Sequence, residues 1–287
     1  MDVSCRGHAR RPAAIRGCAT LAPMADLQIP VNRLRAALRA GERGIGTMVA
    51  EFRQPAVMEL LANAGFDFVI IDCEHGPFGP EAVADLSRAA VACGVTPIVR
   101  VPACDYIPIA QALDAGAQGV MVPRIMGVDD AADAAAIATY PPAGRRGSAM
   151  GRGHTGFRGG DVSALMAAMN GERLVVIQIE TVPSLEACEQ IAALDGVDVL
   201  FVGPNDLSIA LGVPGQLTHP LVEGAIERVA AACSAAGCWS AVQMNTVDGA
   251  ARWAPHVDLV SHSAEIGMLQ AAGTAAVSAI RAATAGH

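Results

Sequence analysis

A chain of 287 residues has the length of one large α/β domain, since closed barrels of this class need about 250 residues. Its formal net charge of -8 and the lack of a clustered basic face argue against nucleic acid or a membrane as a partner. All 20 basic residues are arginine, which excludes a lysine Schiff base with a carbonyl substrate.

The cysteines and the first residues bear on location and domain organisation. The 8 cysteines are scattered without a CxxC pair or the spacing of a zinc site, so we interpret them as small buried hydrophobes in a reducing, cytoplasmic compartment. The sequence contains no run of about 18 strongly apolar residues, which is the length needed to span a bilayer. Residues 1–23 show no helical periodicity and are predicted to be a disordered extension before a single domain over residues 24–287.

After an amphipathic segment, VNRLRAALRAG, one unit repeats along the chain. A helical segment ends in glycine or a short polar turn, and a β-branched run follows within a few residues. The glycines that suit the left-handed position at the end of a helix are Gly65, Gly94, Gly116, Gly196 and Gly237. The predicted strands are residues 45–50, then FVIID, TPIVRV, GVMVP, LVVIQIE (residues 174–180), VDVLFV, CWSAVQM and VDLVSH.

Eight strands alternating with helices predict a closed parallel (β/α)₈ TIM barrel, with an open doubly wound sheet as the alternative. No glycine-rich fingerprint follows the first strand, so a dinucleotide site gains no support. The C-terminal ends of the strands in such a barrel surround one pocket. The polar residues at these ends lie in IDCEHG (71–76), VRV (99–101), VPR (122–124), QIET (178–181), GPNDL (203–207) and SHS (261–263).

Glu180 and Asp206 end two apolar runs, LVVIQIE (174–180) and VDVLFVGPND (197–206), each interpreted as a buried strand, which makes them the first candidates for a ligand site. Each has a structural alternative. Asp206 is also placed to cap a helix that starts at Leu207, and Glu180 alternatively pairs with Arg100 or Arg124. Several buried carboxylates beside one arginine would nevertheless leave excess negative charge, which a divalent cation would relieve.

The residues after the second and third strands also have structural interpretations. His75 alone is more often a hydrogen-bonded structural residue than a base. In the structural alternative, Asp72 only holds the loop that follows it. Arg100 would then be a buried counter-ion for Asp72 or Glu74.

Four runs of the sequence resemble the HpcH/HpaI family of metal-dependent 2-oxo acid aldolases. They are FDFVIIDCEHGPFGPEAV (66–83), ALDAGAQGVMVPRI (112–125), YPPAGRRG (140–147), and VIQIET through GPNDLSIALG (176–212). The resemblance covers residues 32–284 in order. It implies a class II aldolase that reversibly cleaves 4-hydroxy-2-oxo acids, such as 4-hydroxy-2-oxoheptanedioate, to pyruvate or a related 2-oxo acid and an aldehyde.

The resemblance also implies a metal and substrate site. Glu180 and Asp206 would coordinate a divalent ion, Mg²⁺, Mn²⁺ or Co²⁺, whose other ligands are substrate oxygens and water. Gln178, on the same strand face as Glu180, would support the site, and Arg100 would hold the pyruvate oxygens. The substrate carboxylate would bind backbone N–H groups of the turn formed by Gly203, Pro204, Asn205 and Asp206.

The remaining matched residues would move protons and order water. His75 would transfer protons and would be oriented by Asp114. Asp72 and Glu74 would hydrogen-bond the water molecules on the metal. These roles rest on the resemblance and not on the spacing of the residues.

Residues 144–161 form a predicted loop with several basic side chains. One interpretation is a solvated or inter-subunit loop. The alternative hypothesis is that the basic residues reach over the pocket and recognise an acidic aldehyde such as succinic semialdehyde. These residues are Arg145, Arg146, Arg152, His154 and Arg158.

Residues 265–284 are predicted to form an alanine-rich helix whose apolar surface is broad for a solvent-facing barrel helix. The resemblance implies a homohexamer in which this helix is exchanged between subunits. Two other functions stay open. A CoA-ester lyase of the malyl-CoA or citrate lyase β type would share the barrel and the carboxylates but need a nucleotide pocket, and a catalytically silent barrel would act as a scaffold.

Overall fold

The structure is a computed structural model that describes residues 29–285, so the predicted disordered extension over residues 1–23 lies outside the described residues. Eight parallel strands form a closed barrel in chain order, and the last strand pairs with the first. This confirms the predicted TIM barrel, and the open sheet is wrong. The strands are β1 (Gly44–Val49), β2 (Phe68–Asp72), β3 (Thr96–Arg100), β4 (Gly119–Val122), β5 (Leu174–Ile179), β6 (Val199–Val202), β7 (Trp239–Met244) and β8 (Leu259–Ala264).

Helices alternate with the strands and pack around the outside of the barrel. The helices of the described residues are α1 (Arg33–Arg39), α2 (Ala56–Ala64), α3 (Pro80–Cys93), α4 (Tyr106–Ala115), α5 (Val128–Ala138), α6 (Val162–Glu172), α7 (Val182–Glu186), α8 (Cys188–Ala192), α9 (Pro204–Ala210), α10 (Pro220–Ala236), α11 (Val247–Trp253) and α12 (Glu265–Thr284). A 3₁₀ helix (Gly153–Thr155) lies between α5 and α6. None of the helices within residues 29–285 has both the length and the apolar content that crossing a membrane requires.

Alternating side chains along each strand divide the core into two parts. Outward-facing residues pack against the helices, and inward-facing residues such as Phe68 and Ile70 fill the barrel. Gly46 makes room for Phe68, because a Cβ atom at Gly46 would lie 2.4 Å from the Phe68 ring. Leu34 and Leu38 of α1 join the inner cluster. The end of the barrel where the strands begin is thereby sealed with apolar side chains.

The predicted glycine turns are largely confirmed. Gly65, Gly94, Gly116 and Gly237 follow helices directly and have φ values of +94°, +82°, +119° and +80°. Gly196 also has a positive φ, +88°, but it lies beyond the end of α8, in the turn before β6. The conformation was therefore predicted correctly, and at Gly196 its position relative to the helix end was not.

The last helix, α12, extends away from the barrel. Glu265 is its buried residue, and apolar side chains such as Leu269 and Ile280 are 61% and 65% exposed. A single chain therefore leaves the predicted apolar surface of this helix uncovered. Its exchange between subunits stays a prediction.

Glu265 ties the start of α12 to the loop that follows β1. Its carboxylate accepts hydrogen bonds from the backbone N–H groups of Ala50, Glu51 and Phe52 at 2.7–3.0 Å. We expect Glu265→Ala to lower the free energy of unfolding by about 2 kcal/mol, because these partly buried hydrogen bonds lose their charged acceptor. Urea unfolding measures this. Glu227→Ala on the exposed face of α10 is the control and should change stability by less than about 0.5 kcal/mol.

Candidate active site

Charged side chains meet at the carboxyl end of the barrel, the end formed by the C-terminal ends of the strands. Asp72 ends β2 and Arg100 ends β3, where the two residues are direct neighbours in the sheet. Glu180 follows β5, and Asp206 follows β6 in the first turn of α9. This is the end at which (β/α)₈ barrels carry their active sites.

Arg100 and Asp72 form a buried two-pronged ion pair. Arg100 Nε lies 2.9 Å from Asp72 Oδ1, and Nη2 lies 2.7 Å from Oδ2. Nη1 is 3.2 Å from Glu74 Oε2. Burial alone would raise the pKa of Asp72, but the hydrogen bonds and charge of Arg100 hold it below its ordinary value. The interpretation of Arg100 as a buried counter-ion is therefore confirmed for both acids.

Asp72 also holds the loop that follows β2, as its structural interpretation predicted. Asp72 Oδ1 accepts hydrogen bonds from the backbone N–H groups of Glu74 at 3.0 Å and His75 at 3.3 Å. The His75 side chain is 66% exposed, and its Nε2 lies 3.8 Å from Glu74 Oε1. The loop therefore presents an imidazole at the rim of the site with a carboxylate beside it.

Glu180 is a buried carboxylate without a cationic partner in direct contact among residues 29–285. Its Oε1 accepts a hydrogen bond from the Arg124 backbone N–H at 2.8 Å, and its Oε2 accepts one from Gln178 Nε2. Burial raises the pKa of Glu180 to about 7, although the Arg124 hydrogen bond opposes the shift. The nearby carboxylates of Glu74 and Asp206 raise it further.

The predicted alternative in which Glu180 forms an ion pair is wrong for the described residues. Arg124 contacts it through the backbone N–H group and not through the guanidinium. The guanidinium of Arg100 is bound by Asp72 and Glu74, and it reaches Glu180 as a longer-range attraction. Glu180 is therefore left with hydrogen bonds and no counter-ion in contact.

Gly203 allows the backbone after β6 to pass close to Glu180. A Cβ atom there would lie 2.8 Å from Gln178 Nε2 and 3.2 Å from Glu180 Oε2. A larger residue would push the carboxylate out of place. The glycine is thus needed for this close approach.

The helix cap predicted as an alternative for Asp206 is also wrong. Helix α9 begins at Pro204 with Gly203 as its N-cap, so Asp206 lies in the first turn. Its half-buried side chain is close enough to Glu180 for the two charges to repel. The Asn205 side chain is exposed, which agrees with a site built from the backbone of this turn.

This acidic pair fits a divalent cation that takes most of its ligands from water and substrate. Within residues 29–285 no three His, Cys, Asp or Glu side chains already surround one point with metal-ligand spacing. Two carboxylates are nevertheless enough for Mg²⁺, which usually keeps several waters and binds through one or two carboxylates. Burial, and after it the charges of Glu74 and Asp206, raise the pKa of Glu180, and a bound cation would favour its charged form.

Within one chain the structure does not bring Asp114 to His75, so the orientation of His75 by Asp114 stays a prediction. Asp114 lies near the end of α4, which runs back toward the start of β4, at the opposite end of the barrel from His75. Its carboxylate instead lies 2.6 Å from Arg146 Nη2. Glu74 is the carboxylate that the structure places beside His75.

Two basic residues of the loop 144–161, Arg146 and His154, are buried and do not reach over the pocket of their own chain. Arg146 is buried against Asp114, and its guanidinium stacks 4.5 Å from the centre of the Tyr140 ring. His154 is 5% exposed, and its Nε2 lies 3.2 Å from the Tyr140 hydroxyl. Arg145 pairs with Asp133 of α5. These contacts correct the hypothesis that all five basic residues recognise an acidic aldehyde.

Sequence reasoning missed Gln243 at the end of β7. Its side chain faces the barrel interior and is 8% exposed. The sign in the sequence was a glutamine within the apolar run SAVQM, two residues after an inward-facing alanine. In a strand that is otherwise apolar, such a residue points to a polar lining at the carboxyl end.

Fold and site together define a (β/α)₈-barrel protein with an acidic, arginine-flanked pocket. A family model described as HpcH/HpaI aldolase/citrate lyase matches residues 23–264, and the chain belongs to this family. The chain is 41% identical over 200 residues to a hydroxypyruvate/pyruvate aldolase of Sagittula stellata, covering 70% of this chain and 78% of that protein. It is 37% identical over 235 residues to a 4-hydroxy-2-oxovalerate aldolase of Novosphingobium aromaticivorans, covering 79% and 88%.

A solved structure agrees with this assignment. An HpcH/HpaI aldolase/citrate lyase family protein from Burkholderia cenocepacia superposes with a TM-score of 0.81 at 35% identity. The superposition covers 88% of this chain and all of that one, 100%. The similarity therefore extends over the whole barrel and not only over the site motifs.

Proposed function

We propose that this protein is a class II aldolase that reversibly cleaves 4-hydroxy-2-oxo acids to pyruvate, or a related 2-oxo acid, and an aldehyde. The observation that carries the proposal is the pair Glu180 and Asp206 at neighbouring strand ends, with Arg100 near enough to attract Glu180. The aldolase names of relatives at 37–41% identity support the same reaction.

Glu180 and Asp206 would hold Mg²⁺, Mn²⁺ or Co²⁺, and Gln178 would keep Glu180 in place through its amide. When bound there, such an ion acts as a Lewis acid that stabilises negative charge on the keto oxygen of the substrate. The chain thereby uses carboxylates for a task that other aldolases give to a lysine, which this sequence lacks.

Arg100 and the turn of residues 203–206 would bind the 2-oxo acid. The hydrogen bonds from Arg100 to Asp72 fix the guanidinium, so little side-chain entropy is lost when it contacts the keto acid. The first N–H groups of a helix lack acceptors within the helix, and here they belong to Asn205 and Asp206, because the Gly203 N–H already donates to the Ile179 carbonyl. A substrate carboxylate would accept hydrogen bonds from them, and Pro204 would shape the turn.

His75 would move the proton at the carbon next to the keto group and return it to the product. Its exposed ring is free to reach a substrate from the rim, and Glu74 Oε1 lies 3.8 Å from its Nε2. Asp72 and Glu74 would also orient water molecules in the site. Within one chain Asp114 lies at the other end of the barrel, so Glu74 is the carboxylate that would orient His75 there.

Exchange of the pyruvate methyl protons with deuterium oxide tests the proposed function. We expect proton NMR to show exchange with protein and Mg²⁺, and its loss after EDTA treatment, since only the enzyme-bound acid is deprotonated quickly. Restoring the rate with added Mn²⁺ or Co²⁺ is the control for irreversible damage. Exchange that continues after complete chelation would contradict the proposal, as would cleavage of a CoA thioester with no cleavage of a 4-hydroxy-2-oxo acid.

The proposed assembly is a homohexamer in which α12 covers a neighbouring subunit. The exposed apolar side chains of this helix, among them Leu269 and Ile280, support the proposal. Light scattering should give the mass of six chains, and Leu269→Arg with Ile280→Arg should reduce it. A wild-type monomer would refute the hexamer. The proposed location is the cytoplasm, because the cysteines described by the structure are free thiols.

A further inference from the structure

Two polar side chains without an assigned role face the barrel interior on β7 and β8. Gln243 and Ser261 are paired residues in the sheet. Each lies two residues after a member of the apolar inner cluster, Ala241 and Leu259, so each points to the same side of its strand. Gln243 is 8% exposed and Ser261 is 0% exposed. Polar groups in such a position need partners.

The Gln243 amide has a defined orientation. Its Nε2 donates to the backbone carbonyl of Ser263 at 3.0 Å. A β-bulge between β1 and β8 and a φ of +56° at Ser263 accompany this contact. Because the carbonyl can only accept, the amide nitrogen faces Ser263 and Oε1 faces away from it. Gln243 Oε1 and Ser261 Oγ have no hydrogen-bond partner among residues 29–285.

Gln243 lies beside the acidic pair. Ile179 pairs with Val202, and Val202 pairs with Val242. The residues that follow Ile179, Val202 and Val242 are Glu180, Gly203 and Gln243. These three residues therefore lie side by side at the carboxyl end of the barrel. Gly203 has no side chain to separate the carboxylate from the amide.

The chemistry of Gln243 Oε1 selects the kind of group it binds. An amide oxygen only accepts hydrogen bonds, so a keto or carboxylate oxygen of the substrate cannot satisfy it, whereas a hydroxyl group can. The turn that would bind the substrate carboxylate starts at Gly203, next to Gln243. With its carboxylate on that turn, a three-carbon 2-oxo acid would place its hydroxyl closer to Gln243 than an aldehyde that enters from solvent would.

We propose that Gln243, supported by Ser261, is a specificity-determining residue that binds the hydroxyl group at C3 of a 3-hydroxy-2-oxo acid. This assignment rests on the proposed aldolase function. It means that hydroxypyruvate is used in preference to pyruvate as the 2-oxo acid. Gln243 would affect which 2-oxo acid is used, whereas Glu180 and Asp206 would act equally on hydroxypyruvate and pyruvate.

Gln243→Met tests the assignment, because methionine has nearly the same shape and no amide. The measured quantity is kcat/KM for hydroxypyruvate divided by that for pyruvate, with one aldehyde and saturating Mg²⁺. We expect this ratio to fall about tenfold, the effect of one hydrogen bond. The ratio of dissociation constants from titration calorimetry should shift in the same direction. Ser261→Ala should shift both ratios in the same direction by a smaller amount. It is the test variant if Gln243→Met does not fold.

Gln111→Met, on the exposed face of α4, is the matched control and should leave both ratios unchanged. If Gln243→Met lowers kcat/KM equally for hydroxypyruvate and pyruvate, or lowers neither, the ratio is unchanged and the assignment is overturned. A loss that depends on a hydroxyl of the aldehyde, seen by comparing glycolaldehyde with acetaldehyde, would also overturn it. If the wild-type protein turns over neither acid, the proposed aldolase function fails, and the binding ratios still decide the role of Gln243.

Discussion

Replacing Glu180 by glutamine is expected to lower the rate of pyruvate proton exchange by about 10³-fold or more while the barrel stays folded. The amide keeps the size of the side chain but removes one of two anionic ligands from the proposed metal site. Several kcal/mol of charge stabilisation at the keto oxygen depend on that ion, and each 1.4 kcal/mol is tenfold in rate. The loss should therefore appear in the exchange rate and not only in substrate affinity.

Thermal unfolding with and without Mg²⁺ separates this effect from misfolding. A ligand that binds only the folded state raises Tm, so Mg²⁺ should stabilise the wild-type protein and have little effect on Glu180→Gln. Glu189→Gln, in an exposed ion pair with Arg228, is the matched control and should retain both exchange and the Mg²⁺ response. Exchange at the wild-type rate in Glu180→Gln would refute the role of this carboxylate.

Glu180→Gln should also remove the pH dependence of stability and Mg²⁺ affinity that the wild-type protein shows. The pKa of Glu180 is raised from 4.5 to about 7, so the folded state keeps a proton that the unfolded state has lost between these pH values. The metal-free wild-type protein should therefore lose stability as the pH rises through this window. Its Mg²⁺ affinity should increase over the same range, because protons compete for the carboxylate. Glu180→Gln should show neither trend when the two proteins are titrated in parallel.

The barrel and most of the site were predictable because their determinants are local. Continuous apolar runs, glycine after several of the helices and a carboxylate directly after a strand are all read from neighbouring residues. In a parallel barrel that is enough to place Asp72, Arg100, Glu180 and Asp206 at one end. The structure adds the pairing of Arg100 with Asp72, which the strand order alone left open.

The structure differs from the sequence-based expectations where a contact joins distant parts of the chain. Asp114 was paired with His75 from the resemblance, but helices of a barrel run opposite to its strands. A residue near the end of α4 therefore lies at the end where strands begin. Arg146 and His154 looked like solvent-exposed cations, because no local pattern predicts that a loop folds back to bury them against Tyr140 and Asp114.

Replacing Arg100 by methionine is expected to damage both stability and activity. The change leaves the buried carboxylates of Asp72 and Glu74 without their shared cation. Removing one partner of a buried ion pair costs about 3–5 kcal/mol, because the remaining charge is uncompensated. Urea unfolding should show this loss. Arg228→Met breaks an exposed pair and should cost about 1 kcal/mol or less.

The contribution of Arg100 to activity can be separated from its contribution to folding by adding Asp72→Asn. The double variant Asp72→Asn with Arg100→Met no longer buries that unpaired charge, so it should recover part of the lost stability. It should not recover proton exchange, because the guanidinium that would hold the keto acid is still missing. Arg100→Lys keeps the charge without the planar fork, and it should fall between wild type and Arg100→Met in kcat/KM. A double variant that regains wild-type exchange would show that Arg100 serves the fold alone.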